Sequence, residues 1–161
     1  MDKYAGLITN DFANGTGVCV SFWTQGCPHQ CVGCQNPETW DFDGGQPLPI
    51  DIKGQIIKAI SANGITRNFS VLGGEPLCEQ NLDIVDQIIT AVRAAYPHIK
   101  IFVWTGYTIQ ELKEQKNSTI EHILSQIDTL IDGKYIESER DITLKFRGSK
   151  NQNILNKEID F

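Results

Sequence analysis

Apolar residues along this chain recur with two periods, and the alternation between them is the first structural signal. Val18 to Trp23 is a short β-branched and aromatic run that predicts a strand. Asp51 can cap a helix whose apolar face is Ile52, Ile56, Ala59 and Ile60, ended by Asn63-Gly64. Asn68 to Leu72 reads as a second strand, stopped by Gly73-Gly74-Glu75-Pro76. From Leu82 to Ala95 the period returns to that of a helix, with Leu82, Val85, Ile88, Ile89 and Val92 on one face. Ile99 to Trp104 predicts a third strand, broken by Thr105-Gly106-Tyr107. Thr108 with Glu111, and Ser118 with Glu121, have capping-box spacing and start two shorter helices. Thr129 to Ile131 is a short fourth strand before Asp132-Gly133-Lys134. Ile142 to Phe146 predicts a fifth before Arg147-Gly148-Ser149. Asn36 to Pro49 reads as a long loop.

Strands that alternate with helices imply right-handed βαβ units and a mainly parallel sheet, hence an α/β fold in a single domain spanning residues 1–161. The unusual residues are not scattered. A cysteine-rich loop, Gly-Gly-Glu-Pro, Thr-Gly-Tyr, Asp-Gly-Lys and Arg-Gly-Ser each follow a predicted strand. In parallel α/β folds chemistry sits at the carboxyl ends of the strands. The five segments are therefore expected to meet on one edge.

Composition narrows the choice. With 20 acidic and 14 basic residues the chain carries a net charge of -6. That disfavours nucleic acid as a partner, since phosphate binding wants a basic surface. No apolar run approaches the length of a membrane span, and Met1-Asp2-Lys3-Tyr4-Ala5-Gly6 does not open like a secretion signal. A cytoplasmic protein is expected. Among its five cysteines, Cys27, Cys31 and Cys34 form Cys-x3-Cys-x2-Cys. In a reducing compartment such a cluster reads as a metal site rather than a disulfide framework. Thiolates suit zinc, copper(I) or iron–sulfur clusters. Structural zinc and most [4Fe–4S] clusters use four protein ligands, and the local run supplies three. Two readings stand at this point. One is a [4Fe–4S] cluster with an open fourth iron. The other is structural zinc completed by His29, Cys19 or Cys78.

The pattern resembles the radical S-adenosylmethionine (SAM) superfamily, with the cysteines after a first strand and Gly-Gly-Glu-Pro after the second. Gly26-Cys-Pro-His-Gln-Cys-Val-Gly-Cys-Gln-Asn-Pro-Glu-Thr-Trp-Asp-Phe42 is similar to the cluster segment of anaerobic ribonucleoside-triphosphate reductase activating proteins. So are Leu72-Gly-Gly-Glu-Pro-Leu77, Trp104-Thr-Gly-Tyr107, Ile127-Asp-Thr-Leu-Ile-Asp-Gly133 and Arg147-Gly-Ser-Lys-Asn-Gln152. Other small radical SAM enzymes, of the pyruvate formate-lyase activator or deazapurine synthase type, are the nearest rivals. The resemblance implies a partial, open β/α barrel with the cluster on Cys27, Cys31 and Cys34. It implies SAM on the fourth iron, reductive cleavage to a 5′-deoxyadenosyl radical, and a glycyl radical made on the reductase large subunit. A reduced donor such as flavodoxin would supply the electron.

The same resemblance assigns Gly73, Gly74 and Glu75 to the SAM ammonium, Gly33 and Gln35 to adenine through backbone groups, and Asp132 and Lys134 to the ribose or carboxylate. It casts His29 as a loop residue near the partner surface, and Arg147 as docking the reductase or bordering the SAM pocket. Trp23, Trp40 and Trp104 are expected to be packing residues. Two positions depart from common patterns. Gly33 stands where many superfamily members carry an aromatic residue, and Cys19 where the family usually has arginine.

Overall fold

A computed structural model describes residues 2–161. Seven strands form one sheet: β1 (Lys3–Asp11), β2 (Cys19–Thr24), β3 (Gln46–Pro47), β4 (Asn68–Gly73), β5 (Ile101–Trp104), β6 (Thr129–Asp132) and β7 (Asn153–Asn156). Their order is β3-β1-β2-β4-β5-β6-β7. The central strands β2, β4, β5 and β6 are parallel, and β1, β3 and β7 add antiparallel edges. The sheet is open, with β3 and β7 as its free edges. Four helices connect the strands: α1 (Ile52–Ile60), α2 (Glu79–Ala95), α3 (Ile109–Glu114) and α4 (Ser118–Gln126).

Alternation along the strands divides the sheet into two faces. Val20, Phe22, Phe69, Val71, Ile101, Val103 and Leu130 join the core with Ile52, Ile56 and Ile60 of α1, Leu82 to Val92 of α2, and Ile120 and Ile123 of α4. The opposite parity carries Trp23, Leu72 and Trp104, which line a cavity. The helices thus bury one face and leave the other for chemistry.

Several expectations need correction. The strand expected at Ile142 to Phe146 is a run of turns. Thr143 is tied to Asp141, Ile142 is 84% exposed, and Phe146 takes a left-handed φ of 60°. Its ring packs against Phe102 and Trp104 instead of extending the sheet. The last strand is β7, and β1 is a strand that the hydrophobic pattern does not predict. The loop from Asn36 to Pro49 contains a 3-10 turn at Pro37–Thr39 and the short β3. Thr108 and Glu111 do form a capping box. For α4 the cap is Asn117, one residue before the expected Ser118, accepting from the Thr119 and Ile120 N–H groups. Asp51 precedes α1 but makes no side-chain cap bond.

Candidate iron–sulfur site

The chain leaves β2 at Thr24 and enters the cysteine loop at once. Gly26 N–H donates to Thr39 O (2.7 Å) and Cys27 N–H to Trp40 O (3.1 Å), so the far end of the loop folds back beside its start. Cys34 N–H donates to Cys31 O, and Cys34 Sγ accepts from Asn36 N–H at 3.4 Å. Cys27, Cys31 and Cys34 are free, partly exposed thiols on the wall of one cavity of about 470 Å³. Burial pushes the Cys27 and Cys31 thiols above the ordinary cysteine value of 9.0.

That cavity also takes in Gln35, Gly73, Gly74, Glu75, Thr105, Gly106, Gly133, Lys134, Arg147 and Gly148. All five sequence segments therefore meet at the carboxyl edge. Two of the residues expected there do not reach it. Asp132 is 2% exposed and turned inward: its Oδ2 accepts from Ile109 N–H (2.9 Å) and its Oδ1 from Asn153 Nδ2 (3.1 Å). It joins α3 and β7 to β6 and is not free for a ribose. Gly33 packs against Tyr135 and Glu137, where any Cβ would overlap the Glu137 carboxylate. The missing side chain makes room for the segment after β6.

Glu75 borders the cavity, but its carboxylate is 0% exposed and points into protein. Oε1 accepts from Gly106 N–H and from His29 Nε2, both at 2.7 Å, and Oε2 from Leu77 N–H at 2.8 Å. The Thr105 hydroxyl lies 2.9–3.0 Å from both oxygens. This one carboxylate ties the cysteine loop, its own turn and the turn after β5 together. His29, expected near a partner surface, has a side chain only 7% exposed and stacks edge-on against Tyr107. Its Nε2 is engaged by Glu75, which leaves Nδ1 as the ring nitrogen open to a metal. Cys19 and Cys78 are buried, and their thiols bond the Thr16 and Glu75 carbonyls. Burial, with the Glu75 charge behind it, pushes the Cys78 thiol up to about 12. Among the described residues, no three His, Cys, Asp or Glu side chains converge on a single-ion position. A cluster, which gives each thiolate its own iron, suits three cysteines spread along a cavity wall.

Gly73 takes a left-handed φ of 109°, which glycine adopts without a Cβ clash. Gly74 is a close approach. A Cβ there would overlap the Gly26 carbonyl and sit 2.9 Å from Thr39 O, both backbone atoms of the cysteine loop. Asn81, in the first turn of α2, escaped notice in the sequence. It is 1% exposed, and its Nδ2 lies 2.9–3.4 Å from the carbonyls of Gln25, Gly26 and Glu75. A polar residue four positions before Val85, on the buried face of an amphipathic helix, was the available signal.

The Arg147 to Gln152 segment holds its neighbour in place. Gln152 Oε1 accepts from the Gly148 and Ser149 N–H groups, and Gln152 Nε2 donates to Gly133 O at 2.9 Å. Asn151 Nδ2 donates to Lys134 O, and Ser149 Oγ accepts from Ile136 N–H. Arg147 borders the cavity, and its Nη1 donates to Gln152 O.

Three cysteines from one loop lie on a cavity at the edge of an open α/β sheet, a donor set that suits an iron–sulfur cluster. Residues 13–155 match the family described as the 4Fe-4S single cluster domain. Curated relatives narrow the class. The chain is 36% identical over 143 residues to the anaerobic ribonucleoside-triphosphate reductase-activating protein of Escherichia coli K12, covering 88% of this chain and 90% of that one. Identity is 37% over 143 residues to the protein of the same name from Vibrio cholerae, with the same two coverages. For the one from Enterobacteria phage T4 it is 33% over 154 residues, 94% of this chain and 92% of that one. This chain belongs to the family of anaerobic ribonucleoside-triphosphate reductase-activating proteins.

Proposed function

We propose that this chain binds one [4Fe–4S] cluster through Cys27, Cys31 and Cys34, binds SAM at the open iron, and generates a glycyl radical on anaerobic ribonucleoside-triphosphate reductase. The observation that carries this reading is the donor set: three free thiols on one cavity wall, Cys19 and Cys78 buried and bonded elsewhere, and no single-ion position among the described residues. Bound together, cluster and SAM supply a one-electron cleavage of a carbon–sulfur bond and a carbon radical able to take hydrogen from a glycine. The protein's share is placement. The Glu75 bonds fix the cysteine loop against the turns after β4 and β5. The carbonyls of Gly73 and Gly74 offer acceptors to the SAM ammonium, and Lys134 and Arg147 put positive charge beside its carboxylate. Gln35 is positioned for adenine. Trp23, Leu72, Trp104, Leu144 and Phe146 give the cavity an apolar wall that excludes water. A small reduced protein such as flavodoxin would donate the electron. No described helix is long and apolar enough to cross a membrane.

The test is anaerobic reconstitution with iron and sulfide, then SAM and a strong reductant. A brown protein that releases methionine and 5′-deoxyadenosine, and that produces the glycyl radical EPR signal on added reductase, is the expected result. A colourless zinc protein, or a cluster that leaves SAM intact, would overturn the reading.

A further inference from the structure

The loop between β1 and β2 takes no part in the site so far, yet its Asn14 lines the same cavity as the three cysteines. The backbone there is pinned to the sheet. Asn14 N–H donates to Asp11 Oδ1 at 3.1 Å, and Asn14 O accepts from Ser70 Oγ at 2.6 Å. Gly15 follows with a left-handed φ of 119°, and a Cβ there would overlap Cys19 Sγ. The side chain is oriented as firmly. Asn14 Nδ2 donates to Oδ2 of the buried Asp11 at 2.8 Å. A carboxylate only accepts, so turning the amide round would set two acceptors face to face. Asp11 thereby holds Asn14 Oδ1 away from itself. Among the described residues Oδ1 has no donor, and it is not sealed from solvent. With its N–H, carbonyl and amide nitrogen all engaged, the one polar atom Asn14 has free for the cavity is an acceptor. Ser70 precedes Gly73 by three residues on β4. At about 3.3 Å per residue, Asn14 is anchored roughly 10 Å down the strand from the Gly73 turn. It therefore faces what enters the cavity beyond the cysteine end.

We propose that Asn14 Oδ1 accepts a hydrogen bond from a backbone N–H of the reductase segment that carries the target glycine, and so aligns that glycine for hydrogen abstraction. The inference rests on the function proposed above. Glycine has no side chain to grip, so its place can be set only through the backbone of the segment around it. Backbone N–H groups that leave water for a cavity with apolar walls need an acceptor there. A rigidly held amide oxygen supplies one. The same loop carries Phe12, 78% exposed, and aromatic side chains are enriched where proteins meet. That favours a protein segment over a small solute as the donor.

The experiment compares reconstituted wild-type protein with Asn14→Leu, which keeps the bulk and removes the amide. Iron content, SAM affinity and SAM cleavage by dithionite without reductase should match wild type. With reductase added, the glycyl radical formed per 5′-deoxyadenosine released should fall about five- to tenfold, the ordinary worth of one hydrogen bond. A second measurement needs no variant to fold. Synthetic peptides spanning the reductase's glycine segment, each with one backbone N–H replaced by an ester oxygen, compete with the reductase for wild-type protein. One position should bind about five- to tenfold more weakly than the all-amide peptide. Equal affinity across the series overturns the proposal, as does an unchanged radical yield in Asn14→Leu. Loss of SAM affinity in Asn14→Leu at full iron content also overturns it, since the donor would then sit on SAM. Wild-type protein that takes up no iron, or leaves SAM intact, would defeat the proposed function instead, and the peptide series would still decide the contact.

Discussion

Replacing Glu75 by glutamine tests whether that carboxylate holds the fold or meets a cofactor. The side chain keeps its shape but exchanges one acceptor oxygen for a donor NH₂. Leu77 N–H points at Oε2 and Gly106 N–H at Oε1. Whichever way the amide turns, one buried backbone N–H faces another donor. An unsatisfied buried donor costs about 1–3 kcal/mol. Loss of a charge-assisted partner for the second N–H adds roughly 1 kcal/mol. Thr105 can rotate its hydroxyl and His29 can change tautomer, so neither adds much. The expected loss is about 2–4 kcal/mol, a large part of an ordinary domain's stability. With a urea slope of about 1–3 kcal/mol/M, the unfolding midpoint should fall by roughly 1–2 M. The assay is urea unfolding of cluster-free protein, followed by tryptophan fluorescence, with amide exchange read at Leu77 and Gly106. Working without cluster or SAM separates the two roles, because a residue that only contacts cofactor would leave the curve unmoved. A midpoint within about 0.2 M of wild type would refute the clamp.

Alanine at Cys27, Cys31 or Cys34 should each abolish the reconstituted visible absorption, while Cys19→Ala and Cys78→Ala keep it; loss of iron in either of the last two would end the three-ligand reading. Gly74→Val should lower iron content as well as SAM affinity, because its Cβ would push the Gly26 carbonyl of the cysteine loop; full iron loading with weak SAM binding would show that the loop tolerates the methyls. Burial alone would raise the Asp11 carboxyl, but bonds from the Asn14 side chain, the Ala13 and Asn14 N–H groups and the Ser21 hydroxyl outweigh it and hold the group below its ordinary 3.8. A group depressed in the folded state contributes stability that is present above 3.8 and lost as pH falls through its folded value. Asp11→Asn should therefore flatten the acid limb of a melting-temperature profile taken downward from about pH 5, and superimposable profiles would contradict this.

The helices were legible because their apolar period survives in the sequence. The core faces of α1 and α2 are the residues that pattern selects. β1 was hidden because Lys-Tyr-Ala-Gly-Leu-Ile-Thr-Asn-Asp never settles into alternation. The structure gives the reason: its register against β2 slips between Tyr4 and Gly6 and again between Ile8 and Asp11. Each slip moves side chains to the other face and erases the period. Ile142, Leu144 and Phe146 alternate as a strand would, yet nothing pairs with them. β7 has only two apolar residues, too few to show any period. The cysteines could be read because their spacing is local. The bonds of Glu75 could not, since its donors come from residues 29, 77, 105 and 106. Nor could the Trp40 indole N–H, which is shielded from solvent with no acceptor in reach.

The five segments meet at one edge, but one of them arrives by another route than the pattern predicts. Turns after β2, β4, β5 and β6 share an edge because those strands are parallel. Arg-Gly-Ser-Lys-Asn-Gln was placed there as the end of a parallel strand that does not form. It lies there instead because it precedes β7, which runs antiparallel to β6 with Asn153 opposite Asp132. The start of an antiparallel strand falls at the carboxyl end of its neighbour. That geometry sets Gln152 beside Gly133, where its side chain bridges the Gly133 carbonyl and the Gly148 and Ser149 amides. Asn151 and Ser149 fasten Lys134 and Ile136 in the same way. The segment that fills the space beside Gly33 is therefore held from behind by residues 149–152. The Arg147 to Gln152 segment reaches the cysteine loop through those residues: Gln152 holds Gly133, and Tyr135 and Glu137 pack on Gly33 between the second and third cysteines.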